Sequence, residues 1–275
     1  MSQATLERHG TRLPDGRSGL VQAVRMEWVK ARTLRSTWWI AALTLAGTIG
    51  LAIVVLRYYP SHWSHLSRAD RARFDPVNDG FTGLALAQLL MAAFGVLAIT
   101  SEYSGGMISS TLAAMPRRPV MLAAKAAVIG AIALVVGEIA AFGAFFAGQL
   151  VLTSPAPHAT LGQPLVLQAV LLAGAYLGLM AVIGLGIGAI VRRSAAGIAV
   201  IAGLIFVLPP ITLALPDSFQ HSVQRFLPEI IAENSLTVIK PVAYSLSAWA
   251  GLAALCAYAA VLLAAGGWLL ARRDA

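Results

Sequence analysis

Six long runs of apolar residues, separated by shorter polar stretches, dominate the hydropathy pattern of the chain. The runs cover about residues 37–56, 81–100, 123–152, 165–191, 195–215 and 246–270. A helix needs roughly 20 mainly apolar residues to cross a bilayer core about 30 Å thick. The pattern therefore predicts an all-α membrane protein with six transmembrane helices and no separate soluble domain of ordinary size.

Composition and charge add an orientation to this picture. The chain is 58% hydrophobic and only 12% charged, with a mean hydropathy of +0.76. Fourteen of its 20 lysines and arginines fall in segments that lie on one side of the predicted bundle together with both termini. Because cytoplasmic segments carry an excess of Lys and Arg, we expect both termini in the cytoplasm. These flanking charges also account for the net charge of +8, so we expect contact with membrane lipids and no nucleic-acid partner.

The segment before the first apolar run divides into two parts. Residues 1–18 show no periodicity and indicate a flexible basic tail. In residues 19–36, Leu20, Val24, Trp28 and Ala31 share one helical face, which favours an amphipathic helix along the membrane surface over a simple extension of the first span. The charged and aromatic residues expected to hold this interfacial helix in place are Glu27, Trp28, Lys30, Arg32 and Arg35.

Few polar residues fall within the predicted spans. Glu138 lies near the middle of the third, where a carboxylate is costly unless it is paired, protonated or facing a polar cavity. Two hypotheses remain open: Glu138 lies on a transport path or partner interface, or it is hydrogen-bonded to a polar side chain of a neighbouring helix. Gln88 and Gln149 are candidates for the same two roles.

Small residues and prolines predict two packing features. Gly174, Gly178, Ala181 and Gly188 share a face of the fourth span, which allows close approach of another helix of this chain or of a second chain. Pro209-Pro210 predicts a kink or stop in the fifth span. The amphipathic residues 216–245 then predict one or two short helices on the outer side.

The motifs of several common enzymes are missing. The sequence has no Gly-x-x-x-x-Gly-Lys-Ser/Thr phosphate loop, no His-Glu-x-x-His and no Gly-x-Ser-x-Gly. His62 and His65 lack a third ligand at a telling spacing, and Cys256 is the single cysteine. We therefore expect no enzymatic activity, no metal site and no internal disulfide.

A patterned polar stretch, residues 101–118, separates the second and third runs. It begins Ser-Glu-Tyr-Ser-Gly-Gly and ends Met-Pro-Arg-Arg, and its middle carries an apolar stripe. Its position between two spans places it at a membrane surface. The excess of Lys and Arg in cytoplasmic loops would account for the arginines of this stretch. It would not account for a glutamate followed by Gly-Gly and then by an apolar stripe.

This stretch, together with residues 26–39 before the first span, resembles the ABC-2 type permeases, the membrane subunits of a class of bacterial ABC exporters. The likeness runs from Ile99-Thr100-Ser101-Glu102-Tyr103 through Gly106 and Thr111–Arg118 to Lys125, and covers about residues 20–272. The six spans, inner termini and broken fifth helix agree with it. Met107 stands where the family usually has Thr.

The resemblance implies a multi-pass subunit of the bacterial plasma membrane that couples ATP hydrolysis by separate chains to substrate export. Two ATPase subunits would bind ATP and Mg, and a second permease chain, identical or related, would complete the path. Residues 101–118 would be the coupling loop, with contacts from Glu102, Tyr103, Gly105, Gly106, Ile108, Leu112, Met115, Arg117 and Arg118. The alternatives are an ion- or proton-driven secondary transporter that uses Glu138 and a membrane scaffold that transports nothing.

Overall fold

The computed structural model of the chain describes residues 19–106, 118–238 and 245–272, which fold into helices joined by loops. The helices are α1 (Leu20–Thr33), α2 (Arg35–His62), α3 (Arg68–Arg73), α4 (Leu84–Ser104), α5 (Arg118–Val151), α6 (Val166–Val191), α7 (Ser194–Thr212), α8 (Asp217–Gln224), α9 (Pro228–Leu236) and α10 (Ala248–Arg272). Six of them, α2, α4, α5, α6, α7 and α10, are long and apolar enough to cross a membrane. The predicted all-α fold with six spans is confirmed.

The two ends of the bundle carry different elements. Successive spans are joined at alternate ends, so α2, α5 and α7 start at the end where α4, α6 and α10 finish. We call this the terminal end, because α1 precedes α2 there and α10 closes the described chain there. The short helices α3, α8 and α9 lie in connections at the opposite end.

Helix α6 is the central element of the bundle. It is the most buried of the six spans and packs against α4, α5 and α10. A Cβ atom on Gly95 of α4 would overlap the carbonyl oxygen of Ala181, and one on Gly184 would overlap the carbonyl of Ala92. The backbones of α4 and α6 are therefore in direct contact, which only residues without a bulky side chain allow.

The small-residue face of α6 packs within this chain. A Cβ on Gly178 would lie 3.3 Å from the Leu134 backbone of α5, and one on Gly188 would lie 3.0 Å from the carbonyl oxygen of Val96 on α4. Gly174 faces the carboxyl group of Glu138 on α5. The same face thus changes its partner from α5 to α4 as α6 runs toward the terminal end.

Helix α1 is separate from the first span. Leu34, in extended conformation, lies between α1 and α2, and α1 packs against α5. The buried face of α1 carries Ala23, Glu27 and Ala31. Two residues of the predicted apolar stripe, Leu20 and Trp28, lie off this packed face and are 53% and 47% exposed. A glutamate takes the packed position instead, for the electrostatic reason given below.

Helix α7 contains an irregular turn. Residues Gly203–Val207 form a π-helical turn just before Pro209-Pro210, and the backbone N–H of Leu208 bonds to the carbonyl of Gly203. Proline lacks the N–H that continues a regular helix, and its ring crowds the carbonyl four residues earlier. The wide π-helical turn moves the carbonyls that precede the two prolines away from the rings. The helix continues past both prolines to Thr212, so the prolines do not end it.

At the opposite end, one buried carboxylate joins two connections. Asp75 accepts hydrogen bonds from the backbone N–H groups of Val77 at 3.0 Å and Asn78 at 3.2 Å. Its second oxygen accepts from the N–H of Val238 at 2.7 Å. The segment between α3 and α4 is thereby fixed against the residues that follow α9.

Candidate functional site

Four charged side chains from three helices meet at the terminal end. The Lys125 Nζ lies 2.5 Å from Glu27 Oε2 and 2.7 Å from Glu102 Oε1. The Lys30 Nζ lies 2.8 Å from the same Glu102 oxygen and 3.4 Å from Glu27 Oε1. We call these four residues the ionic cluster. Its two positive and two negative charges alternate, so each carboxylate contacts both ammonium groups.

The positions of these residues follow from the helices that carry them. Glu27 lies on the packed face of α1, Glu102 in the last turn of α4 and Lys125 in the second turn of α5. Glu102 and Lys125 therefore lie on either side of residues 107–117, which join α4 to α5. The cluster ties both ends of that connection to the N-terminal helix.

Burial makes this arrangement specific rather than strongly stabilising. Lys125 and Glu102 are each 1% exposed and Glu27 is 4% exposed. Removing such charges from water costs several kcal/mol per ion, and pairing returns that cost only when the geometry is good. Glu102 Oε2 is buried and has no hydrogen-bond partner among the described residues. We conclude that the cluster fixes the relative positions of α1, α4 and α5.

Lys30 is the most accessible member of the cluster, with 30% of its side chain exposed. Burial lowers the pKa of its ammonium group, but the hydrogen bond to Glu102 and the charges of Glu27 and Glu102 act in the other direction and prevail. The pKa of Lys30 therefore lies above its ordinary value. Lys30 remains a cation at every physiological pH.

Two arginines connect the same end of the bundle to α10. Arg118, the first residue of α5, donates to the carbonyl of Leu270, and Arg192, just after α6, donates to the carbonyl of Leu269 at 3.4 Å. Carbonyls in the last turn of a helix lack intrahelical partners and favour cations. The Arg192 guanidinium also lies 5.1 Å from the ring centre of Tyr103, beside Glu102. The end of α10 is thus joined to the start of α5 and to the end of α6.

The predicted coupling residues fall partly outside the described chain. Glu102 is in the ionic cluster, Tyr103 is half-buried and Arg118 contacts α10. Gly105 ends α4 with its N–H bonded to the Ser101 carbonyl at 3.0 Å, and Gly106 has a φ of 65°, which favours glycine. The remaining predicted residues, Ile108, Leu112, Met115 and Arg117, lie outside the described residues.

The residues assigned to the interfacial helix have different environments. Glu27 is buried and Lys30 half-buried in the cluster, whereas Trp28, Arg32 and Arg35 are exposed. The indole N–H of Trp38 in α2 donates to the carbonyl of Arg32 at 3.0 Å, which fixes the angle between α1 and α2.

Sequence reasoning missed the central residue of the site. In the sequence, Lys125 stands out only as one of the cations on the side of the termini and as the last residue of the stretch that resembles the ABC-2 type permeases. A usable signal existed, since a lysine within an apolar run requires an opposite charge nearby. Pairing it with Glu27, however, needs the packing of α1 on α5, which no local pattern encodes.

The three polar candidates within the spans, Gln88, Glu138 and Gln149, have different contacts. Gln88 accepts a hydrogen bond from the Tyr176 hydroxyl, and Gln149 bonds the backbone of Pro76 at 3.2 Å and Ala159 at 2.9 Å. Both glutamines are thus held by this chain. Glu138 packs against Gly174, and its buried Oε2 has no hydrogen-bond partner in the part of the chain described.

An acidic cavity of about 270 Å³ lies at the opposite end. Its lining includes Gln88, Tyr176, Asp79, Glu229 and Glu233. Burial and the nearby Asp75 charge raise the pKa of Asp79, although hydrogen bonds to it act in the opposite direction. Burial and the Glu233 charge raise the pKa of Glu229. Among the described residues, no three His, Cys, Asp or Glu side chains are placed to hold a metal ion.

No protein-family model and no curated protein sequence matches this chain. The fold itself defines its class: it is a multi-pass membrane protein with six apolar helices. In the part of the chain that the structure describes, charged side chains meet in the ionic cluster at one end and line the acidic cavity at the other.

Proposed function

We propose that this protein is the permease subunit of an ATP-driven ABC exporter, with the terminal end in the cytoplasm and residues 101–118 in contact with separate ATPase subunits. In this proposal α1 lies at the inner membrane surface, and two permease chains form the transport path. The ATPases bind ATP and Mg, and the membrane is the bacterial plasma membrane.

The observation that carries the proposal is the ionic cluster. A subunit driven by a partner needs a rigid link between the surface on which the partner acts and the helices that must move. Glu102 precedes residues 107–117 and Lys125 follows them, and both are bonded to α1. Displacement of the intervening segment would therefore move the end of α4, the start of α5 and α1 together. A loop with no mechanical role needs no such buried charge pairs, which are costly to form.

The contacts of α10 extend this link. Because Arg118 and Arg192 hold the last turn of α10, a movement at the start of α5 also reaches the sixth span. Helix α6 lies against α4, α5 and α10, so the bundle would respond as a set of packed helices rather than at one helix alone.

The test is copurification from native membranes in mild detergent. We expect the tagged wild-type chain to carry an ATPase with a phosphate-binding loop in near-equal amount. Replacement of residues 107–117 by a Gly-Ser linker of equal length should release it. Glu102→Gln should keep the ATPase bound but change the ATPase rate of the complex, while Glu138→Gln, which lies far from the cluster, should not.

The ion-driven alternative rests on Glu138, whose buried Oε2 lacks a partner among the described residues. A carboxylate in such a place is able to bind and release a proton during transport. If the chain purifies without any ATPase and Glu138→Gln abolishes a proton-linked transport activity in vesicles, the ABC proposal is wrong and this alternative is right.

A further inference from the structure

A cavity of about 180 Å³ lies between α1, α2, α4 and α5 beside the ionic cluster. Its polar lining includes Lys30 in the last turn of α1 and Ser36 and Thr37 in the first turn of α2. Ser101 continues this lining on α4. The cavity therefore begins among hydroxyl and ammonium groups.

Two of these side chains have unused hydrogen-bonding capacity. Thr37 is 7% exposed, and its hydroxyl has no hydrogen-bond partner among the described residues. A buried hydroxyl left without a partner has lost its hydrogen bonds to water and gained none in return. The Lys30 ammonium has three N–H donors, of which Glu27 and Glu102 accept two. Both side chains are thus able to donate to a further acceptor.

The backbone favours a negative charge at the same place. Helix α2 is 28 residues long, and its N-terminus has no side-chain cap. The first turn of a helix leaves N–H groups without intrahelical partners, and the aligned peptide dipoles make it a binding site for anions such as phosphate. Glu27 also lines the cavity, but its charge is compensated by Lys125 at 2.5 Å.

Further into the bundle the cavity becomes apolar. On α4 its lining runs from Ser101 to Leu97 and Phe94, a distance of about 10 Å along the helix. On α2 it runs from Thr37 to Ile40. Trp38 and Trp39 are exposed beside its polar part, at 63% and 68%, as is typical of the headgroup level of a membrane. The polar end of the cavity therefore lies at the level of the headgroups, and its apolar end lies toward the membrane interior.

We propose that this cavity binds one phospholipid, with the phosphate at Lys30, Ser36, Thr37 and the N-terminus of α2 and the start of an acyl chain against Phe94, Leu97 and Ile40. Free phosphate shares the chemistry of the polar part but leaves the apolar part unfilled. The proposal does not depend on coupling to an ATPase, because the ligand belongs to the membrane itself.

The test uses the full chain, purified in a phosphate-free detergent and examined by native mass spectrometry. The probes are phosphatidylglycerol, diacylglycerol with the same acyl chains, and inorganic phosphate. We expect one retained phosphatidylglycerol per chain, no retained diacylglycerol and no displacement by millimolar phosphate. Displacement by phosphate alone would overturn the phospholipid assignment.

Two variants address the two parts of the cavity. Thr37→Val keeps the side-chain shape but removes the hydroxyl, and should weaken retention about fivefold. Ala98→Phe, in the apolar wall, should abolish retention. The matched control is Thr44→Val, because Thr44 is also buried on α2 with an unpartnered hydroxyl but does not line the cavity. Wild-type retention by Thr37→Val would refute the proposal, whether or not Ala98→Phe folds.

Discussion

The ammonium group of Lys125 lies 2.5 Å from the carboxylate of Glu27, although the two residues are 98 positions apart. Both side chains are almost fully buried, at 1% and 4% exposure. The pair joins the N-terminal helix to the third span. Glu102, at the end of the second span, shares the same lysine.

Replacing Lys125 should destabilise the protein strongly. Lys125→Met leaves Glu27 and Glu102 buried with only the partly exposed Lys30 to compensate them. Loss of one partner of a buried pair costs about 3–5 kcal/mol, and we expect a loss of that size in the free energy of unfolding. The measurement is denaturant or thermal unfolding of the purified chain in detergent. The control is Arg25→Met on the exposed side of α1, which should change stability by less than about 0.5 kcal/mol. Equal effects of the two variants would contradict the burial and pairing of Lys125.

The effect of Glu27→Gln on the free energy of unfolding should change sign when Lys125 is removed. In the wild type this substitution removes a charge bonded to two ammonium groups and should destabilise the protein. In the Lys125→Met background it removes a buried charge that only the partly exposed Lys30 compensates, and should restore part of the lost stability. A double-mutant cycle on unfolding free energies measures this coupling. If Glu27→Gln has the same effect in both backgrounds, the two side chains do not interact as described.

A methyl group on Gly95 should disrupt the centre of the bundle. The added Cβ of Gly95→Ala would overlap the carbonyl oxygen of Ala181. A backbone atom in a packed helix cannot move far enough to relieve this overlap. We expect a loss of at least about 1–3 kcal/mol, the usual cost of overpacking. Gly47→Ala in α2 is the control, because nothing lies within 4 Å of its Cβ position. That substitution should gain up to about 1 kcal/mol from helix propensity. Thermal stability measured in parallel for both variants decides the prediction, and a tolerated Gly95→Ala would mean that α4 and α6 lie farther apart.

The acidic cavity should make stability depend on pH. Burial and the Glu233 charge raise the pKa of Glu229, so the folded state binds the proton more tightly than the unfolded state does. This contribution to stability is complete below the unfolded pKa of about 4.3 and is lost as the pH rises through the folded pKa. Glu229→Gln keeps the neutral form at every pH. We therefore expect it to raise the melting temperature relative to wild type at pH 8 and to change it little at pH 4. An equal shift of the melting temperature at pH 8 and pH 4 would show that the charge of Glu229 does not cause the difference in stability.

Several features of the fold could be predicted from local patterns. Each of the six spans is an apolar run long enough to satisfy the backbone within one helix, and lipid leaves few other ways to do so. Helix α1 also follows from a local pattern, although its packed face does not. The stripe with Leu20 and Trp28 is the more apolar one, yet the face with Ala23, Glu27 and Ala31 is buried.

The charge pairs could not be predicted in this way. The sequence by itself determined the class of the protein, the number of its spans and the polar stretch between the second and third, because hydrophobicity and helix length are properties of contiguous residues. Only the tertiary structure decided that Lys125 pairs with Glu27 and Glu102 and that α6 lies at the centre of the bundle. The same holds for the Thr37 hydroxyl, which lines the cavity beside the ionic cluster and has no hydrogen-bond partner among the described residues. These relationships arise from side chains that meet across helices, and their energies depend on burial and distance, which the order of residues does not contain.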